Sequence, residues 1–191
     1  MRRLIAPCLL ALAASGVLSG CAGVRASTSA PSTINLPVLQ LPPAALSEPL
    51  ALQQQLQFRF GKHERHMQAL LESDAQAVRL LVQAMGQSGV RLQWDGVTLE
   101  QQRAPWLPRH VRGERVLDDL QFAFWPVEAI AAVLPAGWKV QAAAGTRHLV
   151  FDGTTWLEAR QLPDGSLLLI NHAEGYELSI QSVPVDGDAT W

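Results

Sequence analysis

Hydrophobic and polar residues alternate through most of residues 52–99. Leu56, Phe58 and Phe60 are separated by Gln57 and Arg59, which puts apolar side chains on one strand face and polar ones on the other. Gly61-Lys62 reads as a turn. Strand-like segments follow at 66–72 and 77–85, the second with Val78, Leu80 and Val82 on one side. Gly86-Gln87-Ser88-Gly89 breaks the pattern and reads as a turn. Val90, Leu92 and Trp94 then alternate up to Asp95-Gly96, and Val97 and Leu99 continue beyond it. An Asp-Gly pair between alternating runs predicts a two-residue hairpin turn, in which both positions need φ > 0.

Residues 103–113, with Pro105 and Pro108, read as a loop. The period then changes to about 3.6, with Leu117, Leu120 and Phe124 on one face and Val127, Ile130, Ala131 and Leu134 on the next. Pro126 suits the first position of a helix and keeps Trp125 out of helical geometry. The spacing therefore predicts helices over 116–124 and 126–134, bent at Trp125-Pro126 and stopped by Pro135-Ala136-Gly137. Strands return at 138–142, 147–151, 155–161, 166–171 and 176–183, separated in part by Asp152-Gly153, Pro163-Asp164-Gly165 and Glu174-Gly175. The sheet must cover its apolar face, and two short helices cover only part of one. The expected fold is α+β: a strongly curved antiparallel sheet, an incomplete barrel, with the short helical insert on its concave side.

The start of the chain changes the picture of where this domain works. Met1-Arg2-Arg3 precedes an apolar run through Val17, too short for a good spanning helix. The run ends in Leu18-Ser19-Gly20-Cys21, which resembles the lipobox of bacterial lipoproteins. The resemblance implies that residues 1–20 are a signal peptide and that Cys21 becomes the lipidated first residue. Several acyl chains give lasting anchorage where one alone is marginal. Ala22 resembles the outer-membrane sorting class, so the expected location is the periplasmic face of the outer membrane. Residues 21–49, rich in Ala, Ser, Thr and Pro, read as a lipidated cysteine and flexible tether, with Leu36, Val38, Leu39 and Leu41 available to dock at its end. Residues 50–188 are the size of a single domain.

Cys8 leaves with the signal, so the mature domain has no disulfide and no cysteine chemistry beyond the anchor. Loss of Arg2 and Arg3 takes the formal charge from -2 to -4. No basic run remains, which argues against a nucleic-acid partner.

Residues 116–138, from Val116-Leu117-Asp118-Asp119-Leu120-Gln121 through Trp125-Pro126 to Leu134-Pro135-Ala136-Gly137-Trp138, resemble a family of bacterial outer-membrane lipoproteins. Its members are often encoded beside fatty-acid-synthase-like enzymes that make aryl polyene lipids. The likeness extends through Asp152-Gly153 and Gly175-Tyr176-Glu177-Leu178. More loosely, the lipobox, strand order and helical insert resemble LolA and LolB, the periplasmic carrier and outer-membrane receptor of lipoproteins. That resemblance implies an incomplete barrel lidded by helices, with an apolar cavity for acyl chains. Trp106-Leu107 is the candidate for an exposed apolar loop.

Other chemistry is thinly represented. His63-Glu64-Arg65-His66 has histidines at i and i+3, whereas the zinc-protease helix needs i and i+4. Gly86-Gln87-Ser88-Gly89 leads into a strand, whereas a nucleophile elbow leads into a helix. Asp118 and Asp119 point about 100° apart on a helix, so they do not form a paired acid/base site alone, and a first-turn carboxylate favoured by the helix dipole explains them. His110, His148 and His172 are scattered singles. No enzyme, cofactor or metal site is expected.

The aromatic and aliphatic positions on the strands and helices are more suggestive. Phe58, Phe60, Trp94, Leu120, Phe124, Trp125, Ile130, Trp138 and Trp156 are the candidates for lining an apolar cavity. The expected function is binding of a hydrophobic ligand, an acyl or polyene lipid or a lipoprotein acyl chain, and its transfer to or assembly in the outer membrane. The expected partners are the membrane, through Cys21, the lipid ligand and a periplasmic carrier protein. The alternative is a structural or interaction lipoprotein whose core is filled by its own side chains.

Overall fold

The computed structural model describes residues 34–107 and 111–185. Cys21, the signal segment and residues 22–33 of the expected tether lie outside the described residues. Among those described, no helix is long and apolar enough to cross a membrane.

The strands run β1 (Leu50–Phe60), β2 (His63–Ser73), β3 (Val78–Ala84), β4 (Gln87–Trp94) and β5 (Leu99–Arg103). Helices α1 (Gly113–Phe124) and α2 (Val127–Val133) follow, then β6 (Trp138–Ala143), β7 (Thr146–Phe151), β8 (Thr154–Gln161), β9 (Leu167–Asn171) and β10 (Tyr176–Pro184). All pair antiparallel in one open sheet, in the order β5-β4-β3-β2-β1-β10-β9-β8-β7-β6. β5 and β6 are successive in the chain and stand at opposite edges. The helical insert connects them.

The sheet is curled, and α1 shows why. The helix packs on β4 and β5. At its other end, Arg147 of β7 donates to the Phe122 and Trp125 carbonyls at 3.0 and 2.6 Å. On a flat sheet β4 and β7 would stand seven strand spacings apart, roughly 33 Å. A helix of 12 residues is about 18 Å long. Both contacts hold only because the two halves of the sheet turn toward the same helix. Arg147 also satisfies carbonyls that a helix end leaves without intrahelical donors, a place where a cation is favoured.

Local chemistry sets the ends of α1. No side chain of Arg112 caps it. Instead Gln101 of β5 accepts from Gly113 N at 3.0 Å. Trp125 N still reaches Gln121 O at 2.9 Å, and Trp125 then turns extended before Pro126. Leu117 and Phe122 are fully buried, and burial of each such side chain stabilises by about 1.5–3 kcal/mol.

Three details depart from the sequence reading. Asp95-Gly96 is not a two-residue turn, because Trp94 pairs with Leu99 and residues 95–98 form the loop. Oδ1 of Asp95 accepts from Val97 N and Thr98 N at 2.8 and 2.7 Å, which stabilises the longer loop. Val97 is consequently exposed and outside the strand. The break expected over residues 86–89 is confined to Met85-Gly86, both at positive φ, and Gly89 is the extra residue of a bulge inside β4. Asp118 and Asp119 lie in the second turn of α1, not the first, and are buried beside Arg115.

The end of the expected tether is part of the fold. Pro37, Leu39, Leu41 and Pro43 are buried in alternation, while Val38 between them is exposed. This strap has no strand partner, and its backbone is satisfied by side chains. Leu39 N donates to Asp118 Oδ1 at 2.8 Å. Leu41 N donates to Gln121 Oε1, and Leu41 O accepts from Gln121 Nε2 and Trp94 Nε1, all at 2.8 Å. Buried backbone groups need such partners, which accounts for a fully buried glutamine on α1.

Candidate ligand cavity

The pleat of β1 aims Gln54, Leu56, Phe58 and Phe60 at one face of the sheet. The two-residue turn Gly61-Lys62 fixes their neighbours on β2: Leu56 opposes Met67, Phe58 opposes Arg65 and Phe60 opposes His63. On the other flank Leu56, Phe58 and Phe60 oppose Ile180, Leu178 and Tyr176 of β10. Burial falls steadily along this row. Leu56 is enclosed, Phe58 is half-buried and Phe60 is 36% exposed.

Between this face and α1 lies a cavity of about 460 Å³. Its inner part is apolar, with Leu80, Val82 and Val90 on one side and Leu169 and Ile180 on the other. Val116, Leu120, Ala123 and Phe124 of α1 form the opposite wall. The mouth lies at the strand ends that carry the 61–62 turn, residues 104–107 and 111–112, and the 172–175 turn. Trp106 sits on this rim, 37% exposed, over Gly89, where an added Cβ would stand 3.2 Å from its ring. The glycine in β4 is therefore what lets the indole lie against the sheet.

One polar network is built into the wall. Arg115 lies 3.4 Å from Asp118 Oδ2 and 3.2 Å from Asp119 Oδ1. Tyr176 donates its hydroxyl to Asp119 Oδ2 and accepts from Asn171 Nδ2 at 3.0 Å. Burial pushes the Asp119 carboxyl up to about 6, against the opposing pull of Arg115 and Tyr176. Burial also raises Asp118, with Arg115 again opposing. Burial and the neighbouring Asp119 carboxylate raise the Tyr176 hydroxyl far above its ordinary range, so it stays a donor. Nearer the mouth, Arg112 pairs with Glu174 at 3.0 Å.

Of the residues expected to line a cavity, Phe58, Phe60, Leu120 and Phe124 do so. The other five are placed elsewhere. Trp94 and Trp125 are buried behind the cavity, where their indole N–H groups bond to Leu41 O and Pro42 O of the strap. Ile130 is buried on α2. Trp138 packs on Phe151 with ring centroids 5.1 Å apart, and Trp156 lies half-buried on β8. The aromatic count alone does not separate lining residues from core.

The sequence alone gives Asp119 only a helix-dipole role and gives Arg115 and Tyr176 no site role, though Arg115 and Asp119 stand four residues apart and so share a helix face. Arg65 was also missed, and a signal for it was present: a turn at Gly61-Lys62 already sets it opposite Phe58.

The fold and cavity define the class of protein: an open, curled antiparallel sheet closed on one side by a helix, with an apolar pocket between them and a charged rim. The family model described as protein of unknown function (DUF3261) matches residues 51–184, and the chain belongs to that family. No curated protein matches the chain.

Proposed function

We propose that this protein is an outer-membrane lipoprotein that holds the hydrocarbon chain of a lipid in its cavity and assists the transfer of that lipid to, or its assembly in, the outer membrane. The observation that carries the reading is the unfilled apolar volume of about 460 Å³ between α1 and the sheet. Ligand pockets typically enclose about 300–1,000 Å³ and are mostly apolar with few polar groups. Each methylene moved from water into such a space contributes about 0.8 kcal/mol. The lipobox at Leu18-Ser19-Gly20-Cys21 supports the membrane anchor, and the loose resemblance to LolA and LolB supports acyl-chain handling by a half-open sheet. The resemblance to lipoproteins encoded with aryl polyene enzymes makes a polyene or acyl lipid the preferred cargo.

Mass spectrometry of the full chain, purified from its native membrane under non-denaturing conditions, tests this. A lipid retained in stoichiometric amount is the expected result. Absence of co-purifying lipid together with no uptake of added acyl or polyene lipid would sink the proposal and leave a purely structural lipoprotein.

A further inference from the structure

The charges that line the cavity are almost all matched. Arg112 is paired with Glu174 at 3.0 Å, and Arg115 is held between Asp118 and Asp119. Arg65 is the exception: among the described residues its side chain has no ion-pair or hydrogen-bond partner. Glu64, its neighbour in the chain, points to the opposite face of β2, as strand alternation requires. There Glu64 pairs with Arg59 at 3.0 Å. Arg65 is exposed at the mouth and directly opposes Phe58, whose ring lines the way in. Lys62, in the adjoining turn, adds a second exposed cation at the same end.

The interior offers nothing comparable. Gln54, at the inner end of the row, donates to Ser182 Oγ at 3.1 Å, the buried Arg115, Asp119 and Tyr176 of the wall engage one another, and the rest of the inner lining is apolar. A polar head would lose its water there without replacement, and a charged head would lose most. A chain entering tail-first leaves its head at Arg65.

From this charge arrangement we infer that the ligand is a single-chain amphiphile with an anionic head, whose chain fills the cavity and whose head pairs with Arg65 at the mouth. The inference rests on the apolar-cavity reading above and specifies the ligand class for that same site. A carboxylate and a phosphate head share the chemistry that Arg65 recognises, because the guanidinium fork matches both.

The test is a titration of the full chain, in a fixed concentration of non-ionic detergent at mildly alkaline pH. The probes are dodecanoate, dodecyl phosphate, methyl dodecanoate and dodecylamine. Both anions are expected to bind about fivefold tighter than the neutral ester, the scale of a partly exposed ion pair, and the amine weakest. Arg65→Ala should remove the preference for the anions over the ester, and Arg65→Lys should keep part of it. Preference for only one of the two anions identifies the source of the head group and supports the proposal. Equal binding of anion and ester by the unmodified chain overturns it but leaves the apolar cavity standing. So does a preference that survives Arg65→Ala. Failure of every probe to bind, ester included, overturns the cavity reading itself.

Discussion

Tyr176, the first residue of β10, donates its hydroxyl to Oδ2 of Asp119 in the second turn of α1. The bond joins the sheet side of the cavity to its helix side, and Asn171 supports the same hydroxyl from β9 at 3.0 Å. Tyr176→Phe keeps the ring, which packs 5.3 Å from Phe58, but deprives a buried carboxyl of its donor. The expected loss of stability is about 1–3 kcal/mol, read from the urea midpoint. An unchanged midpoint would show that the bond does not hold the two walls together.

The same carboxyl gives the fold a pH dependence of unusual sign. Burial raises Asp119 from 3.8 to about 6, so folding favours its protonated form. The resulting stabilisation is complete below about pH 3.8 and is lost as the pH rises through about 6. Asp119→Asn removes this contribution. The stability difference between the variant and the unmodified protein should therefore shift in favour of the variant by about 3 kcal/mol over that interval, and stay level above it. Urea titrations across the range measure the difference. A level difference throughout would contradict the assignment.

Gln121 fastens the strap to α1 through both backbone groups of Leu41. Gln121→Leu leaves the Leu41 N–H buried without a partner and takes one of two donors from its carbonyl. The expected cost is about 2–4 kcal/mol. It should fall on the strap first, so limited proteolysis should cut within residues 36–46 before the sheet unfolds. Simultaneous loss of strap and sheet would show instead that the two form one cooperative unit.

Ala123 faces the cavity from α1 with little side-chain volume. Ala123→Phe places a ring in space that is otherwise free. Uptake of an acyl probe should weaken at least about tenfold, a loss of about 1.4 kcal/mol. The thermal midpoint should hold or rise, because a ring in an existing void is not overpacking. Unchanged uptake would place the ligand somewhere else.

The strand pattern was legible where a strand has one wet and one apolar face, because a period of two survives in the sequence whatever the neighbours are. Leu56, Phe58 and Phe60 show it, as do Leu117, Leu120 and Phe124 for the helical period. The loop at residues 95–98 was misread because Asp95 can either enter a tight turn or accept two backbone N–H groups across a longer one, and Asp-Gly is compatible with both. The strap was expected only as the docking end of a tether because its composition is that of a linker. The groups that satisfy its backbone, on Asp118 and Gln121, lie 79 and 80 residues away.

Alternation and helical spacing thus determined, from the chain alone, the order of the elements and which face of each is apolar, since both depend only on near neighbours. Whether those faces would fill the space between them was decided by the tertiary fold. The curl that brings β4 and β7 to one helix leaves Phe58 and Leu120 facing open volume while it buries Trp94 and Trp125. A void is a property of how distant surfaces meet, and no local pattern of residues records it.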